Sequence, residues 1–217
     1  YFLPKSKRTQ YKPPRRPAGD SYIPYMSDPT VRRTIIDIAT AWAYGNEVGT
    51  HFCGHFPDPN GVPSWNTADW EQELSQVDKL VTTWRTITGW TDIDPLPFDH
   101  ARECVGGRTP LLAGRKTLLP AIAERGWRYD SSGVRSSQAW PAKDSYGLYD
   151  MSMFQIPFRK SRIIPMDYNF LAAQAGGKTN GGSASQRQAW KDEHLAAVRN
   201  ALRPCREGNR APLILGN

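Results

Sequence analysis

His51 and His55 are half of the four histidines in this 217-residue chain. Four residues apart on a helical turn, their imidazoles would face one side about 6 Å from each other, a separation that suits one divalent cation. The same pair also reads as two ordinary surface or capping histidines. Cys53 would lie on the opposite side of that turn, as a buried thiol rather than a ligand. A hydrolytic metal site needs a third protein ligand, commonly a carboxylate, and an open position for water. Asp130 and Asp167 stand at the ends of predicted strands and are the carboxylates placed for that role. Each also reads as a helix cap or turn acid. In Gly106-Gly107-Arg108-Thr109-Pro110 a proline-fixed turn follows Arg108 and suits its planar fork to orienting a carboxylate. The alternative is a surface arginine before a loop.

These residues must be positioned by elements whose order can be read from hydrophobic spacing. Asp28-Pro29-Thr30 starts a helix that carries Ile35, Ile36, Ala39, Trp42 and Ala43 inward and ends at Gly45. Glu47-Val48-Gly49 is a short strand leading into the histidines. A Pro- and Gly-rich loop, 57–64, precedes a second helix with Trp70, Leu74, Val77, Leu80, Val81 and Trp84 on one face. Residues 103–108 are a predicted strand, Arg115–Arg125 a helix, and Trp127–Asp130 a buried strand. The stretches 151–158 and 162–170 alternate weakly, as strands do. A flexible loop at 176–182 leads to a helix over 186–202 with Trp190, Leu195, Val198 and Leu202 inward, and 211–216 is a final apolar strand. Strands alternating with helices predict an α/β fold with a parallel sheet and sites at the carboxyl ends of strands.

Composition sets bounds. The net charge is +7, but six of the 28 basic residues fall within residues 1–16, which hold no acid, leaving 22 bases against 21 acids elsewhere. The charge therefore belongs to a basic, Pro-rich arm over 1–29, which Tyr11, Tyr22, Ile23 and Tyr25 would pin to a surface. Pro and Arg without an interleaved aromatic platform argue against a nucleic-acid partner. No apolar run approaches the ~20 residues of a membrane span. Three cysteines permit at most one disulfide, and none has CxxC spacing. His100, in a Pro-rich turn, and His194, on a charged helix, read as solvated.

The stretch Asn46-Glu47-Val48-Gly49-Thr50-His51-Phe52-Cys53-Gly54-His55 resembles the metal-binding motif of polysaccharide deacetylases, the family-four carbohydrate esterases, whose usual form is Gly-His-Glu-Ile-Gly-Asn-His-(Ser/Thr)-x-x-His. Arg108-Thr109-Pro110 is similar to their Arg-x-Pro-Tyr motif, with Leu111 in place of the aromatic. Leu118–Ser132 is similar to the family's helix-Gly-aromatic-strand segment. The resemblance covers about residues 30–135 and implies a distorted seven-stranded β/α barrel. It further implies a divalent metal, most often zinc, on His51 and His55, and hydrolysis of acetyl groups on a cell-wall or extracellular polysaccharide. Arg108 would orient the catalytic carboxylate, Asp130 falls near the fourth motif, and Pro110 and the loop residue Trp140 are the candidate substrate contacts. The family's Thr-Phe-Asp-Asp-Gly-Pro motif and its last His motif have no counterpart here. The expectation is therefore of the central part of such a barrel, without its first strand or strands and its C-terminal helix, and with doubtful turnover on its own. The competing expectation is a non-catalytic glycan-binding module on a degenerate barrel of the same kind, with the basic arm, Trp65 and Trp140 as its grip.

Overall fold

In a computed structural model of the chain, which describes residues 3–216, the Ser27 hydroxyl accepts from the Thr30 amide. That cap, with Pro29 in the first turn, starts helix α1, Asp28–Ala43. Its buried face is Val31 and Ile35, whereas Ile36 points to solvent. Asn66 and Asp69 form a reciprocal capping box at the start of α2, Thr67–Thr82, and a short helix α3, Trp84–Thr88, follows it. Residues 100–102, expected as turn, and Glu103, expected to open a strand, are the short helix α4, His100–Glu103; its capping aspartate, Asp99, takes the Ala101 amide. Strand β1 is therefore only Gly106–Gly107, shorter than the predicted 103–108. Helix α5, Arg115–Glu124, and strand β2, Tyr129–Asp130, follow as expected.

The fold is mixed helix and sheet, and the chain divides into two units, Tyr1–Asp130 with Ser145–Leu148, and Ser131–Asp144 with Tyr149–Asn217. In the first unit three short segments run parallel. β1 pairs with β2 so that Gly107 faces Asp130, and Thr50 bridges to the other side of Gly107. The predicted strand 47–49 is thus reduced to the bridge at Thr50, held by its amide to the Gly106 carbonyl (3.1 Å) and its carbonyl to the Arg108 amide (2.9 Å). Glycine is required at β1, because a Cβ on Gly106 would overlap the Tyr129 ring. Behind these segments the core is built on Trp65, Trp70, Phe56, Leu118 and Ile122. Residues of the basic segment join it: Leu3, Tyr11 and Ile23 are buried there, while residues 5–10 stay exposed.

The second unit has its own core of Phe154, Ile156, Phe158, Phe170, Ala197 and Ala201. Strand β3, Val134–Arg135, pairs in parallel with β5, Met153–Phe154; β4, Tyr149–Asp150, which precedes β5 in sequence, is bridged by Lys143. A hairpin joins β6, Ile156–Phe158, to β7, Ser161–Ile163. The strand-like reading of 162–170 fails beyond Ile163. Residues Asp167–Ala175 are helix α6, because Phe170 docks its ring on Phe158 at 5.1 Å and Gly176 closes the helix in a left-handed cap. Helix α7, Ala184–Glu207, is longer than predicted and turned. It buries the small residues Ala197 and Ala201, which let it approach closely, and leaves Leu195 and Leu202 about 40% exposed (41% and 38%). The predicted strand 211–216 is extended chain with one bridge, Gly216 to Met166. All three cysteines are free thiols. Among the described residues no helix is long and apolar enough to cross a membrane.

Candidate metal centre

The register of the first unit aligns Thr50, Gly107 and Asp130 across three neighbouring parallel segments. The residues that follow the first two, His51 and Arg108, and Asp130 itself, therefore stand side by side at one carboxyl edge. Strand spacing of about 4.8 Å places the outer two segments about 10 Å apart.

His51 and His55 are exposed, with ring centroids 5.9 Å apart. The separation matches the expectation, but its cause differs. Residues 51–55 form no helical turn; they alternate, with Phe52, Gly54 and Phe56 buried and His51 and His55 outward. Four residues of fully extended chain would span about 13 Å. The loop folds back because Phe52 adopts a left-handed backbone, φ +58°, which its ring tolerates by packing on Trp70 (5.1 Å) and Trp127 (6.2 Å). Gly54 is needed at the bend: a Cβ there would lie 2.7 Å from Trp65 and 2.8 Å from the Tyr11 hydroxyl. Cys53 packs partly buried against the core, and burial pushes its thiol pKa well up.

The His51 ring is oriented. Its Nδ1 lies 2.8 Å from the Arg108 carbonyl oxygen, which can only accept, so Nδ1 carries the proton and Nε2 presents a lone pair. Burial lowers the His51 pKa, and positive charge on His55 and Arg108 lowers it further against that hydrogen bond. The shift favours the neutral imidazole, the form a metal requires. A cation about 2.1 Å from one nitrogen of each ring would hold the two centroids roughly 5 to 6.4 Å apart, a range that includes the observed spacing. The donor set thus fits a borderline divalent ion such as zinc. Among the described residues no third His, Cys, Asp or Glu side chain groups with this pair.

Asp130 is buried, and its Oδ2 accepts from Arg115 Nε at 2.6 Å. Burial lowers the pKa of Arg108, while the negative charge of Asp130 acts in the opposite sense, so the two side chains sense each other across the edge. Pro110 is buried in a 3₁₀ turn, and Leu111 beside it is partly exposed with φ +62°. Asp167 belongs to the second unit and opens α6, with its amide on the Gly216 carbonyl; its placement is that of a helix-start acid. Trp140, also in the second unit, is 59% exposed and donates Nε1–H to the Asn209 carbonyl at 2.8 Å.

His100 is not solvated as expected: it is buried, its Nδ1 2.9 Å from Asp78, whereas His194 is half-buried and stacks on Phe170 at 3.8 Å. The residue that sequence reasoning missed is Glu73. It is fully buried on α2, and its carboxylate accepts from the amides of Cys53 (2.7 Å) and Gly54 (2.8 Å) and from the Tyr11 hydroxyl (2.6 Å). The signal was present, since Glu73 lies three residues after Trp70 and four before Val77, on the apolar face. No protein-family model matches this chain, and no curated protein matches it.

Proposed function

We propose that this chain is the metal-binding part of a polysaccharide deacetylase, acting on N-acetyl or O-acetyl groups of a cell-wall or extracellular glycan outside the cytoplasm. The reading includes a β/α barrel of which the parallel segments at Thr50, β1 and β2 are neighbouring staves. The observation that carries it is the tautomer-locked His51, paired with His55 at 5.9 Å on the edge that also carries Arg108 and Asp130. His51 and His55 would hold the ion. Such an ion, when bound, supplies Lewis acidity that polarises a carbonyl and makes water more acidic.

The chain's own residues supply orientation. The Arg108 carbonyl keeps the proton on His51 Nδ1, so that the lone pair is left on Nε2. Arg115 pairs with Asp130, and the negative charge of Asp130 acts on the Arg108 guanidinium at the same edge. Buried Pro110 fixes the turn that follows Arg108.

The test is zinc competition against a chromophoric chelator, with the wild-type chain, His51→Ala and His55→Ala. One equivalent should bind to the wild type, and each substitution should weaken it at least tenfold, the usual scale for loss of a ligand or its support. A wild-type chain that takes up no zinc, or binding indifferent to both substitutions, would remove the metal reading. A glycan-binding role without catalysis draws support from a separate observation, the exposure of Trp140 and of Tyr149, the latter with Lys143 Nζ 5.3 Å from its ring centre. Glycan retention that survives chelator and His51→Ala but is lost in Trp140→Ala would favour that role.

A further inference from the structure

Two imidazoles on an irregular loop hold a fixed separation only if something fixes the backbone between them. Cys53 and Gly54 are two of the three residues between His51 and His55, and both of their amides donate to the same oxygen, Glu73 Oε1. Consecutive amides converge on one acceptor only where the chain bends, so this oxygen sits at the centre of the fold-back. The other oxygen, Oε2, accepts the Tyr11 hydroxyl, which itself lies against Gly54. Glu73 has no exposed surface, so water cannot replace any of these three bonds. Burial raises the Glu73 pKa while the three donors lower it. A fully buried carboxylate on an otherwise apolar helix face is costly, and a purely structural core position would be better filled by leucine or methionine.

We infer that Glu73, supported by Tyr11, is the positioning residue that sets the separation of His51 and His55 and hence the metal affinity of the loop. The inference rests on the metal reading above. It also ties the N-terminal segment to the site, because Tyr11 belongs to that segment. Arg16, from the same segment, pairs with Asp58 beyond the loop and lies over the Phe56 ring at 4.4 Å.

The experiment uses the full chain with Glu73→Met, Glu73→Gln and Tyr11→Phe, and reads two quantities. The first needs no metal: amide proton shifts of Cys53 and Gly54, which a carboxylate acceptor moves downfield. The second is zinc affinity by chelator competition. Glu73→Met should shift both amides upfield and weaken zinc at least tenfold, within the 10- to 100-fold range typical of outer-shell partners. Glu73→Gln keeps a carbonyl oxygen at Oε1 and should retain both amide bonds, with affinity within about threefold of wild type on the same scale. Tyr11→Phe should weaken zinc by a smaller factor, and it decides the matter if Glu73→Met does not fold. Unchanged zinc affinity in a folded Glu73→Met, or in Tyr11→Phe where Met does not fold, overturns the inference. If the wild type binds no zinc but the amide shifts respond as stated, the loop anchor stands and the metal reading fails instead.

Discussion

At Gly106 the demand on the sequence is one of space. Tyr129 lies across the ring of atoms where a side chain would begin, and the adjacent Gly107 leaves no room beneath the Thr50 carbonyl. Gly106→Ala is therefore expected to push β2 away from β1 and to destabilise the chain by about 2 kcal/mol or more, as overpacking does. A urea-midpoint measurement checks this, and Tyr129→Leu in the same chain should recover part of the loss by vacating the ring's volume. The same scale explains why His51 was legible and Glu73 was not. A histidine pair announces itself by residue type and spacing. A glutamate on a helix is by default a solvated residue. Only its place between Trp70 and Val77 distinguishes it, and its three donors come from positions 11, 53 and 54, which no local window contains.

Helix α2 links the core to the candidate site, since one face carries Trp70, Leu74 and Val77 into the core and Glu73 under the histidine loop. Its start depends on the reciprocal Asn66–Asp69 cap, with Asp69 Oδ2 taking the Asn66 amide at 2.8 Å. Asn66→Ala should cost about 1 kcal/mol of stability in thermal melts, whereas Leu74→Ala should cost about 2–5 kcal/mol through cavity formation. Helices with a clear start signal were read to within a few residues, as α1 and α5 show. Strands were read too long, because parallel pairing here is limited to two residues by glycines and by the short helix α4. The face of α7 was misread for a related reason: a helix that packs closely buries alanines, which carry a weak hydrophobic signal, and turns larger leucines outward.

Over the whole molecule, charge is distributed less simply than the net +7 implies. Arg15 and Arg16 of the basic segment are paired with Asp69, Asp20 and Asp58 rather than free in an arm. The most consequential charge is buried. Burial would lower the His100 pKa, but Asp78 and Cys104 raise it to about 9, and Arg125 completes the cluster by binding Asp78 at 2.8 Å and Glu71 at 3.0 Å. Asp78 in turn is held below the usual carboxylate range by His100 and Arg125, against its own burial. Because His100 binds its proton more tightly folded than unfolded, its contribution is full below about pH 6.5 and is lost as pH rises through about 9. Urea stability should accordingly fall between pH 6.5 and 9.5 by on the order of 2–3 kcal/mol, and His100→Gln should flatten that fall. The Asp78 contribution has the opposite sense and is lost only as pH falls through its lowered value.

The sequence by itself determined where helices α1, α2, α5 and α7 lie, the candidate histidines, the Arg108-Thr109-Pro110 turn and Asp130 at the end of its strand. Each of these is written in residue types within a few positions, where local sterics and hydrogen bonding act. Tertiary structure alone decided that Thr50, Gly107 and Asp130 share one register, that the loop bends at Phe52 instead of coiling, and that Glu73, Tyr11 and His100 are buried. Those outcomes depend on contacts between residues tens of positions apart. Their cost or benefit is set by burial, and burial is defined only when the distant parts of the chain have met.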